Sequence, residues 1–308
     1  MTGARGFIGR HLAVVVGQTG AAVAGLGHGA WSAGDALRWS VRHWLNGEIS
    51  QSNLDLLATE TGVPDTIFHL AGGSSVGFSI QAPEEDFYRS AVSAIRLLEW
   101  ARHHAPSCRL VLASSAAVYG SAHTRPIRED DPISPYSPYG FHKRSAELLF
   151  ESYFHNFSLS TSIVRLFSIY GPGLRKQLLW DLCNRLHGGL SGSLELGGYG
   201  DELRDFLHVR DAASFLHLVG QSPALAGGVL NVGSGVGLTV RQVAQDLCQA
   251  YGENAEIRFS GQVRPGDPRY LVADTSASSA LDWMPKNTWA HGLNEYVDWY
   301  RKNRGSEF

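Results

Sequence analysis

The stretch Gly3-Ala4-Arg5-Gly6-Phe7-Ile8-Gly9, running on into the apolar residues 11–16, says most about how this chain folds. Glycines at this spacing give a tight turn, let a pyrophosphate approach the backbone, and open a helix whose N-terminus favours an anion. By itself the pattern is equally a plain tight turn, because 35 of the 308 residues are glycine. A dinucleotide-binding loop of this type follows a β-strand, yet only Met1 and Thr2 precede it here. The first strand therefore lies upstream of this sequence or has been lost.

Outward from that loop, apolar strand-like runs at residues 21–26, 66–71, 109–114, 162–166 and 229–232 alternate with helix-length segments. One helix is predicted over 84–104, with Phe87, Ala91, Ile95 and Leu98 at helical spacing, and another over 139–157. The alternation predicts a doubly wound parallel sheet with helices on both faces, an α/β fold. With no long linker or internal repeat, a smaller second domain must be interleaved with the first rather than strung on. The closing residues 305–308 read as a cloning remnant.

Composition narrows the function classes. With 44% hydrophobic and 18% charged residues the chain is globular and not disordered. Its longest apolar runs are a strand long, far short of the roughly 20 residues of a membrane helix. A net charge of −3 from 26 basic and 29 acidic side chains offers no basic field to nucleic acid. Cys108, Cys183 and Cys248 are odd in number and widely spaced, which suits reduced thiols in a cytoplasm. The 13 histidines form no metal-ligand spacing, so no metal site is expected.

A second motif brings chemistry. Tyr139-Gly140-Phe141-His142-Lys143 sets a phenol and an ammonium four apart, on one helix face, in a chain with only four lysines. Tyrosine is a poor base near neutral pH, but a neighbouring ammonium and a cationic nicotinamide both favour its phenolate. Upstream, Leu110-Val111-Leu112-Ala113 predicts a strand ending at Ser114-Ser115. A hydroxyl at the carboxyl end of a parallel strand faces the crevice where such sheets bind ligands.

With these residues the chain resembles the extended short-chain dehydrogenase/reductases of the nucleotide-sugar epimerase/dehydratase kind, over nearly its whole length. Further matches are Gly47-Glu48-Ile49, Phe68-His69-Leu70-Ala71, Arg165-Leu-Phe-Ser-Ile-Tyr-Gly-Pro-Gly173, Arg204-Asp205-Phe206 with Val209 and Asp211, Asn231-Val232-Gly233, Arg264-Pro265-Gly266-Asp267 and Leu281-Asp282-Trp283-Met284-Pro285. The resemblance implies a Rossmann-type dinucleotide domain over residues 1–165 and a substrate domain over 166–308, with part of about 204–233 returning to the first. It implies a catalytic set of Ser115, Tyr139 and Lys143. Gly3, Arg5, Gly6, Phe7, Ile8, Gly9, Gly27, His28, Glu48, Ile49, Leu70, Ala71 and Gly72, with Tyr139 and Lys143, would hold the cofactor. Ser115, Ser168, Arg204 and Arg264 would bind a nucleotide-diphosphate sugar, the arginines gripping its phosphates. It also implies a homodimer, paired through the helices 84–104 and 139–157, and a place in carbohydrate biosynthesis.

Departures from the family pattern refine the expectation. Members that dehydrate carry an Asp-Glu pair after the triad hydroxyl to supply acid and base; this chain has Ala116 and Ala117. The residue ending the second strand, an aspartate in NAD-using members, is Gly27, and Arg5 stands where some NADPH-dependent reductases hold an arginine. NADP is therefore expected, with NAD the alternative, and the expected activity is NADPH-dependent reduction of a 4-keto sugar, with an NAD-dependent 4-epimerase as the alternative. An unrelated reading is Gly73-Ser74-Ser75-Val76-Gly77 as the nucleophile elbow of an α/β-hydrolase. It is disfavoured because residues 78–83 read as loop rather than helix, and because acyl transfer has no use for Tyr139 and Lys143.

Overall fold

The computed structural model describes residues 1–189, 193–263 and 266–305. The chain forms two compact units. The first contains Met1–Gly120, Glu129–Leu166 and Ala212–Val232, and the second Ser121–Arg128, Phe167–Asp211 and Gly233–Phe308.

In the first unit, helix α1 (Phe7–Gln18) leads to β1 (Val23–Gly27), α2 (Ala33–Arg38), β2 (Val41–Asn46), α3 (Gln51–Thr61) and β3 (Thr66–His69). Then come α4 (Val76–Gln81), α5 (Pro83–Phe87), α6 (Ser93–His104), β4 (Arg109–Ser115), α7 (Pro138–Phe157) and β5 (Ser160–Leu166). All strand pairs are parallel: β1 with β2, β3 with β4, β4 with β5, and β5 with Val229–Val232. Thr2 bridges in parallel to both Leu26 and His69, so two residues occupy the central place between β1 and β3. Thr2 N–H donates to Phe68 O at 3.0 Å, Leu70 N–H to Thr2 O at 3.2 Å, and Gly3 N–H to Leu26 O at 2.8 Å. The sheet grows in opposite directions from this point, the topological switch at which doubly wound sheets bind ligands.

Met1 and Thr2 thus occupy the strand position between β1 and β3. A cavity of about 480 Å³ lies alongside, lined by Met1, Val23, Leu26, Ile67, Phe68 and Leu97 among others. Met1's amine donates to Ala24 O at 2.8 Å, and burial pushes its pKa down to about 6.

The predicted strands form with ends shifted by one or two residues; β2, read as no element in sequence, carries partly polar Val-Arg-His-Trp-Leu-Asn at the sheet edge. The helix predicted over 84–104 is broken into α5, a π-helical turn Tyr88–Val92, and α6. The extra residue in the turn buries Ser90, Ala91, Ser93 and Ala94 together. Leu97, Leu98 and Ala101 of α6 pack with Leu110, Leu112, Phe150 and Ile163 to make the main core. The segment predicted as loop over 78–83 is mostly helical: Ser75 caps α4, accepting from Phe78 N–H at 3.3 Å. The hydroxyl offered as a hydrolase nucleophile is a helix cap.

In the second unit Leu203–His208 pairs with Ser168–Tyr170, Gly237–Thr239 and Tyr270–Leu271, while Leu194–Leu196 pairs with Ile257–Phe259. Helices Gln177–His187, Val240–Ala250 and Trp289–Asn303 supply its buried faces, including Tyr296 and Tyr300. Among the described residues no helix is long and apolar enough to cross a membrane.

Candidate active site

The residues expected to form a cofactor loop sit where Thr2 leaves the sheet. Gly3 adopts φ +70°, and a Cβ there would lie 2.8 Å from Ala71 N, so the turn requires glycine. Gly6 N–H closes it on Gly3 O at 2.9 Å. Gly9 lets α1 seat on the loop, since a Cβ would fall 2.3 Å from Gly3 O. Gly6 caps α1 without a side-chain hydrogen bond, and the first turn, with Phe7 and Ile8, holds no acid. Those amides suit a phosphate.

Arg5 reaches toward the carboxyl end of β1: a Cβ on Gly29 would meet its Nη1 at 2.4 Å. Gly27 ends β1, bonded through its carbonyl to Gly47 N–H at 2.8 Å, and a side chain there would press on Trp44 at 3.1 Å. His28 beside it is exposed. Asn46, not foreseen, accepts from Gly29 N–H at 2.9 Å. Glu48 pairs with Arg96 at 2.9 Å, whereas Ile49 is buried in the main core, which restricts it to backbone contacts with any ligand. Leu70 and Ala71 are tied to Thr2, and Gly72, at φ +151°, lies beneath Lys143 Nζ, which a Cβ would approach to 3.0 Å.

Ser115, Tyr139 and Lys143 come together. Ser115 ends β4, accepts from Ala117 N–H at 3.2 Å, and its hydroxyl acts on the Tyr139 phenol to lower its pKa. Ala116 and Ala117 follow in a single 3₁₀ turn and present no carboxylate. Ser137 caps α7 through Gly140 N–H at 3.2 Å, and Pro138 fixes its first turn. Gly140 permits close packing, as a Cβ would lie 2.7 Å from Ala117 O. Tyr139 N–H donates to Ser79 Oγ of α4 at 3.0 Å, a contact the sequence did not suggest.

The electrostatics differ from the expectation that Lys143 lowers the tyrosine pKa. Lys143 is buried, donates to Ala113 O at 3.1 Å, and its Nζ lies 5.9 Å from the Tyr139 ring centre. Burial raises the Tyr139 phenol above its ordinary value; the Ser115 hydrogen bond opposes this and the charge of Asp86 adds to it. His69, fully buried under the loop, is pushed down to about 3, by burial first and then by Lys143.

In the second unit, Ser168 is half-buried opposite Phe206. Arg204 donates to Leu203 O at 2.9 Å, Pro268 O at 2.6 Å and Asp267 at 3.3 Å. Arg264 lies outside the described residues. Several motif residues are structural: buried Asp205 accepts from Ser234, Gly235 and Ala273, and Asp211 from Lys286 and Asn287. In the first unit Arg165 grips Glu147 with two bonds of 3.0 and 2.9 Å and reaches Tyr119 at 2.8 Å, which donates to Asn231 at 2.7 Å.

Comparison with known proteins agrees with this architecture. A UDP-glucose 4-epimerase of Azospirillum brasilense is 30% identical over 98% of this chain and 91% of its own length. A crystal structure of Thermus thermophilus UDP-glucose 4-epimerase in complex with NAD superposes with a TM-score of 0.88 at 27% identity, covering 98% of both chains. The Thermotoga maritima UDP-glucose 4-epimerase with UDP-glucose gives 0.88 at 25% identity, again over 98% of both. The family described as the NAD dependent epimerase/dehydratase family matches residues 1–233, three-quarters of a chain whose sheet, loop and Ser-Tyr-Lys set are those just described; this protein belongs to that family.

Proposed function

We propose that the protein is an NAD-dependent 4-epimerase of a nucleotide-diphosphate sugar. The observation that carries this reading is the Ser115–Tyr139–Lys143 arrangement followed by Ala116 and Ala117. It has the groups for proton and hydride exchange at one carbon and lacks the acid–base pair for losing water. The relatives reported above, named as UDP-glucose 4-epimerases, favour this reading over the 4-keto reductase expected from sequence.

The glycine loop, uncapped α1 terminus and Lys143 fit a dinucleotide, which when bound would take up and return the C4 hydride. Tyr139 removes the proton of the C4 hydroxyl and later gives it back, while Ser115 holds that oxygen by hydrogen bond. Lys143 holds the ribose of the nicotinamide end. Arg204, whose guanidinium already leans on Pro268 and Asp267, and Arg264 are assigned to the diphosphate. The uncapped α1 terminus takes the cofactor's own phosphates.

A second reading, an NADPH-dependent 4-keto reductase, is favoured by one observation: Arg5 stands against Gly29 at the end of β1, and Gly27 leaves no carboxylate to repel a 2′-phosphate. The two separate in one experiment. The denatured protein is assayed by mass spectrometry for released nucleotide, and UDP-glucose is followed by NMR without added cofactor. Bound NAD and inversion at C4 are expected; bound NADP, or turnover only with NADPH and a 4-keto sugar, would replace the first reading by the second.

We also propose a homodimer through α6 and α7, supported by exposed Phe141, Leu148 and Phe157 on α7. Light scattering at micromolar concentration should give twice 33.5 kDa; the monomer mass would refute it. Three buried free cysteines support a cytoplasmic location.

A further inference from the structure

His142 occupies the helix position between Tyr139 and Lys143, and its Nδ1 lies 2.6 Å from Asp86 Oδ2. Asp86 is wholly buried at the end of α5, and its other oxygen, Oδ1, has no hydrogen-bond partner among the described residues. That oxygen rests on Gly73, where a Cβ would fall 1.9 Å away, in the segment that follows Gly72 and Lys143 Nζ. Phe87 closes over the imidazole edge-on at 5.3 Å. A buried carboxylate is costly unless it is paired and hydrogen-bonded, and the partner of Asp86 is His142.

We propose that the Asp86–His142 pair is a positioning element for the acid–base step, setting the charge against which Tyr139 gives and takes its proton. The proposal rests on the assignment of Tyr139 above. Asp86 disfavours the phenolate by like charge, and His142, hydrogen-bonded to that carboxylate, moderates it. The neighbouring elements leave this pair in control. On its own helix Tyr139 lies beneath Lys143, which Ala113 O holds, and His142 follows three residues on; from β4 comes the Ser115 hydroxyl. Helix α4 contributes Ser79 and no ionisable group. On α5 and the π turn, Glu84 is exposed, and Glu85 is paired with Arg89. Tyr119 and Glu147 are committed to Arg165, and Glu99 of α6 to Arg102 and Tyr153.

The test is the titration of Tyr139, read as the difference in ultraviolet tyrosinate absorbance between each protein and its Tyr139→Phe partner, together with the pH profile of turnover. Asp86→Asn should move the Tyr139 midpoint and the corresponding limb of the profile down by about one pH unit, a tenfold change in proton affinity. His142→Leu should move both up, and the double variant should match Asp86→Asn, because His142 acts through that carboxylate. Unmoved midpoints, or shifts of the same sign in both single variants, would overturn the proposal, because a merely structural pair lowers the rate without displacing its limb. If the midpoints shift as stated in protein that epimerises no nucleotide sugar, the functional assignment fails and the pair's control of Tyr139 stands.

Discussion

The two halves of the parallel sheet are held together differently. On one side β4 and β5 run seven residues in register, and β5 pairs on its far side with Val229–Val232. Behind them Glu147 accepts from Ser114, Arg144 and Arg165, so a fully buried carboxylate is saturated. On the other side, among the described residues, β1 is bridged to β3 through Thr2, beside a cavity and the buried Met1 amine. The rigid half carries Ser115 and supports α7 with Tyr139 and Lys143. The other half carries the glycine loop proposed to hold a cofactor. The residues proposed for proton transfer thus stand on continuously paired strands, and the loop proposed for a cofactor stands at the two-residue seam.

Breaking the rigid half should have the largest effect. Glu147→Leu strands buried Arg165, and removal of one partner of such a pair costs about 3–5 kcal/mol. Urea unfolding followed by circular dichroism should show that loss, with much of it recovered when Arg165→Met is added. An unchanged midpoint for Glu147→Leu would mean that the network does not hold β4 to α7.

At the seam, pH is the lever. His69 is held near 3 against an ordinary 6.5, so between these values the unfolded chain binds a proton that the native one refuses, and stability falls as pH drops through that window. The loss by pH 5 is on the order of 2 kcal/mol. Met1's amine, lowered to about 6 from 8.0, has the same sign between pH 6 and 8. Stability should therefore rise from pH 5 to 8, and His69→Gln should flatten the lower part of the rise. A variant as pH-dependent there as wild type would contradict it.

Thr2→Val should have a smaller effect. It removes the 2.8 Å bond to His69 Nδ1 and the weaker one from Ala71 N–H, about 1 kcal/mol. Hydrogen exchange should quicken at Gly3 and Leu26 while the amides of β4 stay protected. Equal acceleration across the sheet would deny the difference between its halves.

What could be read in the sequence follows the same division. Val111 to Ala113 is a continuous apolar stretch buried on both faces, and the 229–232 run is apolar but for Asn231, so their pattern survives any context. The Tyr139–Lys143 spacing names its own chemistry because a helix must bring those side chains to one face. Edge strand β2 alternates poorly, and α4 is six residues long, beneath the length at which periodicity speaks. The π turn depends on one inserted residue. His142 stood inside the quoted motif, but its significance lies in Asp86, 56 positions away, and Asp86 sits in an acidic Glu84-Glu85-Asp86 run that reads as a solvated helix start. Arg165 and Asn231, quoted as family motifs, hold the fold through Glu147 and Tyr119.

The most direct test of the central claim is Tyr139→Phe, assayed for C4 inversion of UDP-glucose alongside the amount of NAD retained after gel filtration. Loss of only the transferable proton predicts a rate at least about 100-fold lower with cofactor content unchanged. A variant that keeps more than about a tenth of the wild-type rate would contradict Tyr139 as the acid–base group.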